Sequence, residues 1–360
     1  MTRIVDAHLD LAWDAISLNR DLTEPLAQIN RREEGMTDFP GRGRATVSLG
    51  EMRSGGVAVC LGVVLSRTNR HKQTPLRKEV DSATQEIAYA MAQGQLGYYR
   101  ALEARGQMKM LRTRADLRRH WAAWSTAAPD LPVGFVLAAE GADCILEPQQ
   151  LIDWWRDGLR VAALAHYGPG VYAAGTGADG PVTDRGRALL AEMRRRGMIL
   201  DVTHLCERSF FQALELFDGP VLASHHNCRA LVPDERQLSD EQIRFLLHRQ
   251  AVIGVAMDNW MLCPHYQRGR TPRAGIGLSN VADHIDHICR LAGDTLHAAI
   301  GSDLDGGYGS EQCPEDLESI ADLQKLNGIL TRRGYAAADL NNIFHANWLR
   351  LLEQSLPQES

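Results

Sequence analysis

The stretch Ile4–Trp13, with the sequence IVDAHLDLAW, carries Asp6, His8 and Asp10 at every second position of an apolar run. A buried strand can hold polar side chains only when each has a partner, because an unpaired polar group in an apolar interior costs free energy. Side chains two residues apart on a strand point to the same face, so His8 and Asp10 can reach one common ion. The stretch therefore predicts a first strand that brings metal ligands to its carboxyl end.

Seven further apolar runs, rich in β-branched residues, follow along the chain. They are GVAVCLGVVL (56–65), LPVGFVLAAEG (131–141), LRVAALAHYG (159–168), MILDVTHL (198–205), PVLASHHN (220–227), AVIGVAMDN (251–259) and HAAIGSDLDG (297–306). Amphipathic stretches of helix length separate most of them, and one opens with Ser239 and Gln242 in capping-box positions. Eight apolar strands that alternate with helices predict a parallel (β/α)8 TIM barrel. We expect a single domain over 1–360, in which about 315–355 forms additional closing helices.

The composition excludes several classes of protein. With 360 residues, of which 44% are hydrophobic and 23% charged, the chain can form a large folded domain. The formal net charge of -6 comes without a basic stripe, so no nucleic acid partner is expected. The absence of a run of about 18 apolar residues and of a signal-peptide pattern predicts a cytoplasmic protein without a membrane anchor. Seven cysteines without a CxxC pair predict neither a disulfide framework nor a structural zinc cluster.

Ionisable residues lie at the carboxyl ends of the predicted strands, where TIM barrels carry their chemistry. In strand order they are His8 and Asp10, Glu140, His166, His204, His225 and His226, Asp258, and Asp303 and Asp305. Imidazoles and carboxylates that converge on one barrel mouth repel one another or lack partners unless a cation lies among them. Ligands of these two types, without thiolates, suit a hydrolytic zinc or a similar divalent ion. Two such ions about 3.5 to 4 Å apart need a carboxylate between them, and we assign Glu140 to that bridge.

Six motifs of the chain also stand in a characteristic order. They are DAHLDL (6–11), AAEG (138–141), ALAHY (163–167), LDVTHL (200–205), ASHHNCRAL (223–231) and IGSDLDG (300–306). In this order and spacing they resemble the renal (membrane) dipeptidase family of the amidohydrolase superfamily, and the resemblance extends over nearly the whole chain. It weakens after the seventh strand, in MDNWMLCPHYQRGRTPRAG (257–275), a loop expected to form part of the pocket wall.

The resemblance implies a zinc-dependent dipeptidase that hydrolyses the peptide bond of dipeptides by a metal-bridging hydroxide. Whether its substrates include dipeptides with a C-terminal D-residue stays open from the sequence. By that likeness, two zinc ions are held by His8 and Asp10 on one side and His204 and His225 on the other, with Glu140 and the hydroxide as bridges. The resemblance also suggests a homodimer.

The remaining roles are likewise implied by the resemblance. His166 contacts the substrate and donates to its carbonyl oxygen as that oxygen becomes negative, and Asp303 is the proton shuttle. Together with Glu140 they form the catalytic set. Arg236, eleven residues beyond His225, binds the terminal carboxylate of the substrate, a task that suits a guanidinium group.

Two other functions stay open from the sequence. One is another amidohydrolase-type metal hydrolase on the same barrel, acting on a cyclic amide, a lactone or a related substrate, although a carboxylate clamp at Arg236 has no use there. The other is a binding protein without activity. Three roles also stay open, those of His226, Asp258 and Asp305. The motif DHIDHIC (283–289) predicts a solvated helix face.

Overall fold

The structure is a computed structural model that describes residues 1–68, 80–124 and 131–358. The strands in these parts of the chain are β1 (Ile4–Leu9), β2 (Val57–Leu65), β3 (Arg67–Thr68), β4 (Asp81–Ser82), β5 (Met108–Met110), β6 (Val133–Glu140), β7 (Leu159–Ala163), β8 (Ile199–Asp201), β9 (Val221–Ala223), β10 (Val252–Val255) and β11 (Ala298–Ile300).

The α-helices in the same parts are α1 (Leu11–Ser17), α2 (Leu26–Arg32), α3 (Leu49–Ser54), α4 (Gln85–Ala104), α5 (Arg114–Ala123), α6 (Leu151–Asp157), α7 (Asp184–Arg195), α8 (Glu207–Leu216), α9 (Asp240–His248), α10 (Asn259–Leu262), α11 (Leu278–Ala292), α12 (Lys325–Arg332), α13 (Ala337–Asn341) and α14 (Asn347–Ser355). Short 3-10 segments cover Pro148–Gln150, Ser310–Gln312 and Ile320–Gln324, and a π-helical turn covers Asn342–Ala346. Within the described residues, no helix combines the length and apolar character that crossing a bilayer needs.

Eight of the strands form a parallel barrel in the order β1, β2, β6, β7, β8, β9, β10, β11. Each pair of neighbours along this order is parallel. The two ends of the order meet just beyond β11, where the Asp303 amide donates to the carbonyl oxygen of His8 at 3.3 Å. These strands coincide with the eight predicted apolar runs, and the predicted TIM barrel is confirmed.

The two longest strands explain why the sequence shows continuous apolar runs. Every residue of β2 and of β6 is buried, because helices cover one face of the sheet and the barrel interior covers the other. The predicted capping box before α9 is present as well, since Ser239 Oγ accepts from the Gln242 amide at 3.2 Å and Gln242 Oε1 accepts from the Ser239 amide at 2.9 Å. The apolar runs and the capping residues of the sequence thus indicate the strands and the helix start that the structure shows.

The helices after β11 are attached to the barrel by side-chain hydrogen bonds. The indole Nε1 of Trp348 donates to the carbonyl oxygen of Ile300 at 2.9 Å, and Asn347 Nδ2 donates to that of Ala298 at 2.9 Å. Both acceptors belong to β11, so α14 lies against the last barrel strand.

A buried arginine joins four parts of the chain near the barrel mouth. The side chain of Arg20 is fully buried and donates to both carboxylate oxygens of Glu33, at 2.8 and 3.1 Å. It also contacts Asp14 at 3.3 Å and Asp305 at 3.4 Å. Asp305 in turn accepts from the hydroxyl of Thr46 at 2.7 Å. The contacts of Asp305 are therefore those of a residue that holds the loop after β11 in place.

Replacing Arg20 with Met is expected to lower the free energy of unfolding by about 3 to 5 kcal/mol, because three buried carboxylates then lose their shared cation. Urea unfolding of the variant and the parent protein measures the change. Arg32→Met is the matched control, since Arg32 is 57% exposed in its pair with Glu24 and its loss should cost at most about 1 kcal/mol. Equal losses in the two variants would contradict a structural role for the Arg20 cluster.

Candidate active site

A cavity of about 450 Å³ opens at the carboxyl ends of the barrel strands. The residues predicted from the sequence that line it are Asp10, Glu140, His166, His204, His225, Arg236 and Asp303. His8 is buried within 3.9 Å of Asp303, measured from its Nε2 to the carboxylate Oδ1. The barrel therefore brings all eight predicted site residues to one place.

Glu140, the last residue of β6, is the centre of this group. Its Oε1 atom lies 3.0 Å from His204 Nε2, 3.3 Å from His225 Nε2, 3.6 Å from His8 Nε2 and 3.8 Å from His166 Nε2. Four imidazoles from four strand ends thus face one carboxylate oxygen.

Sharp turns after the strands aim two of these side chains. His204 follows β8 with φ of 68°, and Asp303 follows β11 with φ of 57°. Residues other than glycine rarely adopt a positive φ, and histidine and aspartate do so more often than most. Asp10 is placed differently, because it is the residue that precedes α1 and directly follows β1.

The surroundings of His204 and His225 favour an acceptor rather than a donor at Nε2, the ring nitrogen that faces Glu140. Thr176 Oγ1 lies 3.1 Å from His204 Nδ1, and Ser224 Oγ lies 3.0 Å from His225 Nδ1. Burial, reinforced by nearby positive charge, lowers the pKa of both rings well below the usual value, so both are neutral.

Thr176 Oγ1 also donates to the carbonyl oxygen of His204, so it accepts from His204 Nδ1 and leaves the Nε2 lone pair of that ring pointing inward. Ser224 Oγ can accept from His225 Nδ1 in the same way. The two Nε2 atoms are only 3.2 Å apart and face the Glu140 carboxylate. Lone pairs and a carboxylate repel one another at this distance, unless a cation lies among them.

The fit of these residues to a metal ion is supported by unpartnered atoms. His8 Nε2 and Asp10 Oδ1 are buried and have no hydrogen-bond partner among the described residues. Three groups have ligand atoms that lie within 4.8 Å of one another, namely His8 with Glu140 and His225, Glu140 with His166 and His204, and His8 with Asp10 and Asp303. Two of the groups share Glu140 and two share His8, which suits adjacent metal positions.

Arg236 lies beside this cluster, and its side chain is almost completely buried. Its Nη2 donates to the carbonyl oxygen of His225 at 3.0 Å and lies 3.4 Å from His204 Nε2. Its Nη1 has no acceptor among the described residues. A buried guanidinium with an unused donor, on the wall of a cavity, is suited to bind an anionic group.

A contact missed by the sequence reasoning fixes the proton on His166. Arg67 Nη1 lies 3.3 Å from His166 Nδ1, and Arg67 Nε contacts Asp81 at 2.5 Å. Because a guanidinium can only donate, His166 Nδ1 must be the acceptor and its Nε2 must carry the hydrogen. That Nε2 faces the cluster, 3.8 Å from Glu140. His166 is therefore a donor toward the cavity.

The wall of the cavity also contains residues that sequence reasoning did not assign. They are Trp13, Leu65, Arg67, Val80, Tyr167, Trp260, Met261, Arg268, Gly306 and Gly307. Asp258, whose role was open, lies on this wall, and burial raises its pKa to about 6 although Arg268 and Gln312 lower it.

Two other histidines lie outside the cavity. His226 is buried and neutral, since burial lowers its pKa well below the usual value, and its amide donates to Gly254 at 2.7 Å. The prediction of a solvated face for residues 283–289 is wrong for His284, which is buried and accepts from the Cys228 amide at 3.0 Å. His284 falls on the apolar stripe of α11 with Val281 and Ile288, and this spacing could have revealed its burial.

Comparisons with known proteins agree with this arrangement. A family model described as membrane dipeptidase, peptidase family M19, matches residues 1–358. The crystal structure of dipeptidase AC, a metallopeptidase of family M19, has 26% identity and a TM-score of 0.78, with 99% of each chain covered. A metallopeptidase from Rhodobacter sphaeroides, solved with a phosphinate mimic of the dipeptide L-Ala-D-Ala, has 25% identity and a TM-score of 0.77, with 98% of this chain and 99% of the other covered.

Sequence relatives extend the same pattern with shorter alignments. Dipeptidase aclJ from Aspergillus oryzae is 30% identical over 199 residues, which are 54% of this chain and 45% of the relative. The chain thus aligns with about half the length of the curated dipeptidases that it matches.

Proposed function

Because the chain belongs to the membrane dipeptidase family, peptidase family M19, we propose that its cavity is a two-zinc active site for dipeptides with a free terminal carboxylate. Family membership and the likeness to two metallopeptidase structures make the chain a metal-dependent dipeptidase. The identity and number of the ions, and the part of each residue, belong to the proposal.

One observation carries the proposal, namely that four imidazole nitrogens surround one Glu140 oxygen at 3.0 to 3.8 Å. In the proposed site, His8 and Asp10 would hold one zinc, His204 and His225 would hold the other, and Glu140 would be a ligand common to both. Histidine and carboxylate ligands match the preference of catalytic zinc. Bound there, zinc would polarise the substrate carbonyl and lower the pKa of a water molecule.

Asp303 and His166 handle protons and charge in this proposal. Asp303 lies at the mouth of the cluster, where its carboxylate accepts the proton of the attacking water and passes it to the departing amine, which cannot leave as an anion. His166 donates from Nε2 to the carbonyl oxygen as negative charge develops there. Arg67 supports that role by occupying Nδ1 as a donor.

Arg236 supplies the selection for dipeptides. Its buried, unused Nη1 donor is suited to a carboxylate, and beside the cluster the carboxylate of a dipeptide substrate that it can bind is the terminal one, on the residue that leaves as the amine. The Rhodobacter sphaeroides relative was solved with a mimic of L-Ala-D-Ala, which supports acceptance of a C-terminal D-residue here. The alternative substrates, neutral cyclic amides and lactones, would leave this buried donor without a partner.

Zinc-loaded protein is expected to release free amino acids from a panel of L,L- and L,D-dipeptides, and chelation should abolish the release. Zinc content by mass spectrometry should approach two ions per chain, and readdition of zinc should restore hydrolysis. A Glu140→Ala variant is expected to lose both bound zinc and hydrolysis, because the bridging ligand is gone.

Arg244→Ala serves as the control, since Arg244 is exposed on α9 and only pairs weakly with Asp240 at 3.9 Å. Zinc binding without hydrolysis of any dipeptide would contradict the proposed substrate class. Hydrolysis that survives complete metal removal would contradict the assigned centre.

Three other predictions from the sequence are retained as proposals. They concern a single domain over 1–360, a homodimer and a cytoplasmic location. The closing helices that pack on β11 agree with the first.

A further inference from the structure

The loop after β10, in which the likeness to the family weakens, contributes a further arginine to the cavity wall. Arg268 Nη2 donates to Asp258 Oδ2 at 3.0 Å, and the guanidinium lies 5.6 Å from the centre of the Trp260 ring. All three residues line the cavity. The side chain of Arg268 is 53% exposed, whereas that of Asp258 is only 2% exposed. The buried carboxylate of Asp258 therefore holds the more exposed guanidinium of Arg268 at the cavity wall.

Asp258 has no capacity left for a ligand of its own. Gln312 Nε2 lies 2.8 Å from both of its carboxylate oxygens, and the Trp260 amide donates to Oδ1 at 3.2 Å. With Arg268 on Oδ2, four donor contacts use the acceptor positions of the carboxylate. Asp258 thus anchors Arg268, and binding of a substrate amine at Asp258 is disfavoured.

Arg268 differs from the other two arginines of the cavity in the hydrogen-bond donors that it leaves unused. Among the described residues, three arginines line the cavity, namely Arg67, Arg236 and Arg268. Arg67 is engaged by Asp81 and His166, and the proposed function assigns Arg236 to the terminal carboxylate. Arg268 uses only Nη2, so within the described parts of the chain its Nε and Nη1 donors have no protein acceptor. The hydrogen of Nη2 that Asp258 leaves free lies parallel to an N–H of Nε or of Nη1, and such a pair can form two parallel hydrogen bonds with a carboxylate.

The opposite wall of the cavity has a different character. Trp13, Leu65 and Val80 come from the side of β1 and β2 and present apolar surface. Arg236 and Arg268 follow the neighbouring strands β9 and β10, on the far side of the barrel. The β1 and β2 side thus offers apolar surface beside the engaged Arg67, and the β9 and β10 side offers the guanidinium groups of Arg236 and Arg268.

We propose that Arg268 binds a side-chain carboxylate on the second residue of the substrate, so that the enzyme prefers dipeptides that end in aspartate or glutamate. This specificity rests on the proposed function, because it takes the terminal carboxylate to lie at Arg236. Both carboxylates of the second residue then lie on the side of Arg236 and Arg268, and the side chain of the first residue contacts the apolar surface of Trp13, Leu65 and Val80.

Matched substrates that differ only in charge test the proposal. Zinc-loaded enzyme is assayed with L-Ala-Asp and L-Ala-Asn, each with the second residue in L or D configuration. We expect kcat/KM to favour the acidic peptide of the preferred configuration by about 10- to 100-fold, as for a charge-assisted hydrogen-bonded pair. In Arg268→Gln this ratio should fall to about one or below, because the aspartate peptide loses the partner of its side-chain carboxylate. Arg268→Lys should keep part of the preference, since it keeps the charge but loses the fork.

Arg270→Gln is the matched control, because Arg270 is an exposed arginine two residues away that does not line the cavity. It should leave the preference unchanged. The reversed peptides Asp-L-Ala and Asn-L-Ala should be hydrolysed at similar rates, and a preference confined to this pair would overturn the assignment to the second residue. Equal rates of hydrolysis of the aspartate and asparagine peptides by the parent enzyme would overturn the role of Arg268 and leave the proposed function standing. Failure to hydrolyse any peptide of the panel would instead overturn the proposed function and this specificity with it.

Discussion

Replacing Asp303 with Asn is expected to lower kcat for a neutral dipeptide by about 100- to 10,000-fold while zinc stays bound. The amide of asparagine cannot take a proton from water or deliver it to the departing amine. Asn is the suitable substitution because Asp303 has a φ of 57°, a conformation that asparagine adopts more readily than most residues. Steady-state kinetics at saturating substrate measure the loss.

Zinc content distinguishes the proposed role of Asp303 in proton transfer from a role as a metal ligand. Asp303 Oδ1 lies 3.9 Å from His8 Nε2, and with His8 and Asp10 it forms a group that could itself hold an ion. A variant that loses one zinc per chain together with its activity would make Asp303 a ligand. A variant with both zinc content and kcat unchanged would exclude it from proton transfer.

The barrel could be predicted because burial imposes the same local pattern on every strand. A strand of a parallel barrel is covered on both faces, so its residues form a short, continuous apolar run such as Val57–Leu65. The polar residues that follow such runs all emerge at one end of the barrel. This rule placed Glu140, His204 and His225 together although up to 85 residues separate them in sequence.

Other parts of the site depend on tertiary contacts that no local pattern encodes. Arg67 begins β3, two residues beyond the end of β2, and its guanidinium lies between His166 and Asp81 of the paired strand β4. Arg268 lies in a loop and Trp260 in the single-turn helix α10, and neither segment is long enough to show a periodicity, so the sequence gives no direction for either side chain. The residues that we assign to chemistry were thus predictable from strand ends, whereas those that form the wall required the structure.

Removal of the Arg236 guanidinium in Arg236→Ala is expected to lower kcat/KM for dipeptides by about 30- to 3,000-fold, the range for losing one partner of a buried charge pair. The substrate can be changed in the same way, by replacing the terminal carboxylate of the dipeptide with a carboxamide. The parent enzyme should lose a similar factor toward this amide. The variant should lose little more, because the interaction that the amide removes is already absent.

Changing both Arg236 and the terminal carboxylate of the substrate shows whether Arg236 binds that carboxylate or supports the metal centre. Arg236 Nη2 lies 3.4 Å from His204 Nε2 and donates to the carbonyl oxygen of His225, so its removal can also disturb two proposed ligands. A disturbed centre would lower hydrolysis of the dipeptide and of its amide by equal factors and would reduce zinc content. Loss of a carboxylate contact would instead affect the dipeptide alone, with zinc retained.

Arg236→Lys should recover part of the activity toward the dipeptide, since a single ammonium keeps the charge without the paired hydrogen bonds. Equal discrimination between dipeptide and amide in the parent enzyme and in Arg236→Ala would therefore remove Arg236 from substrate recognition.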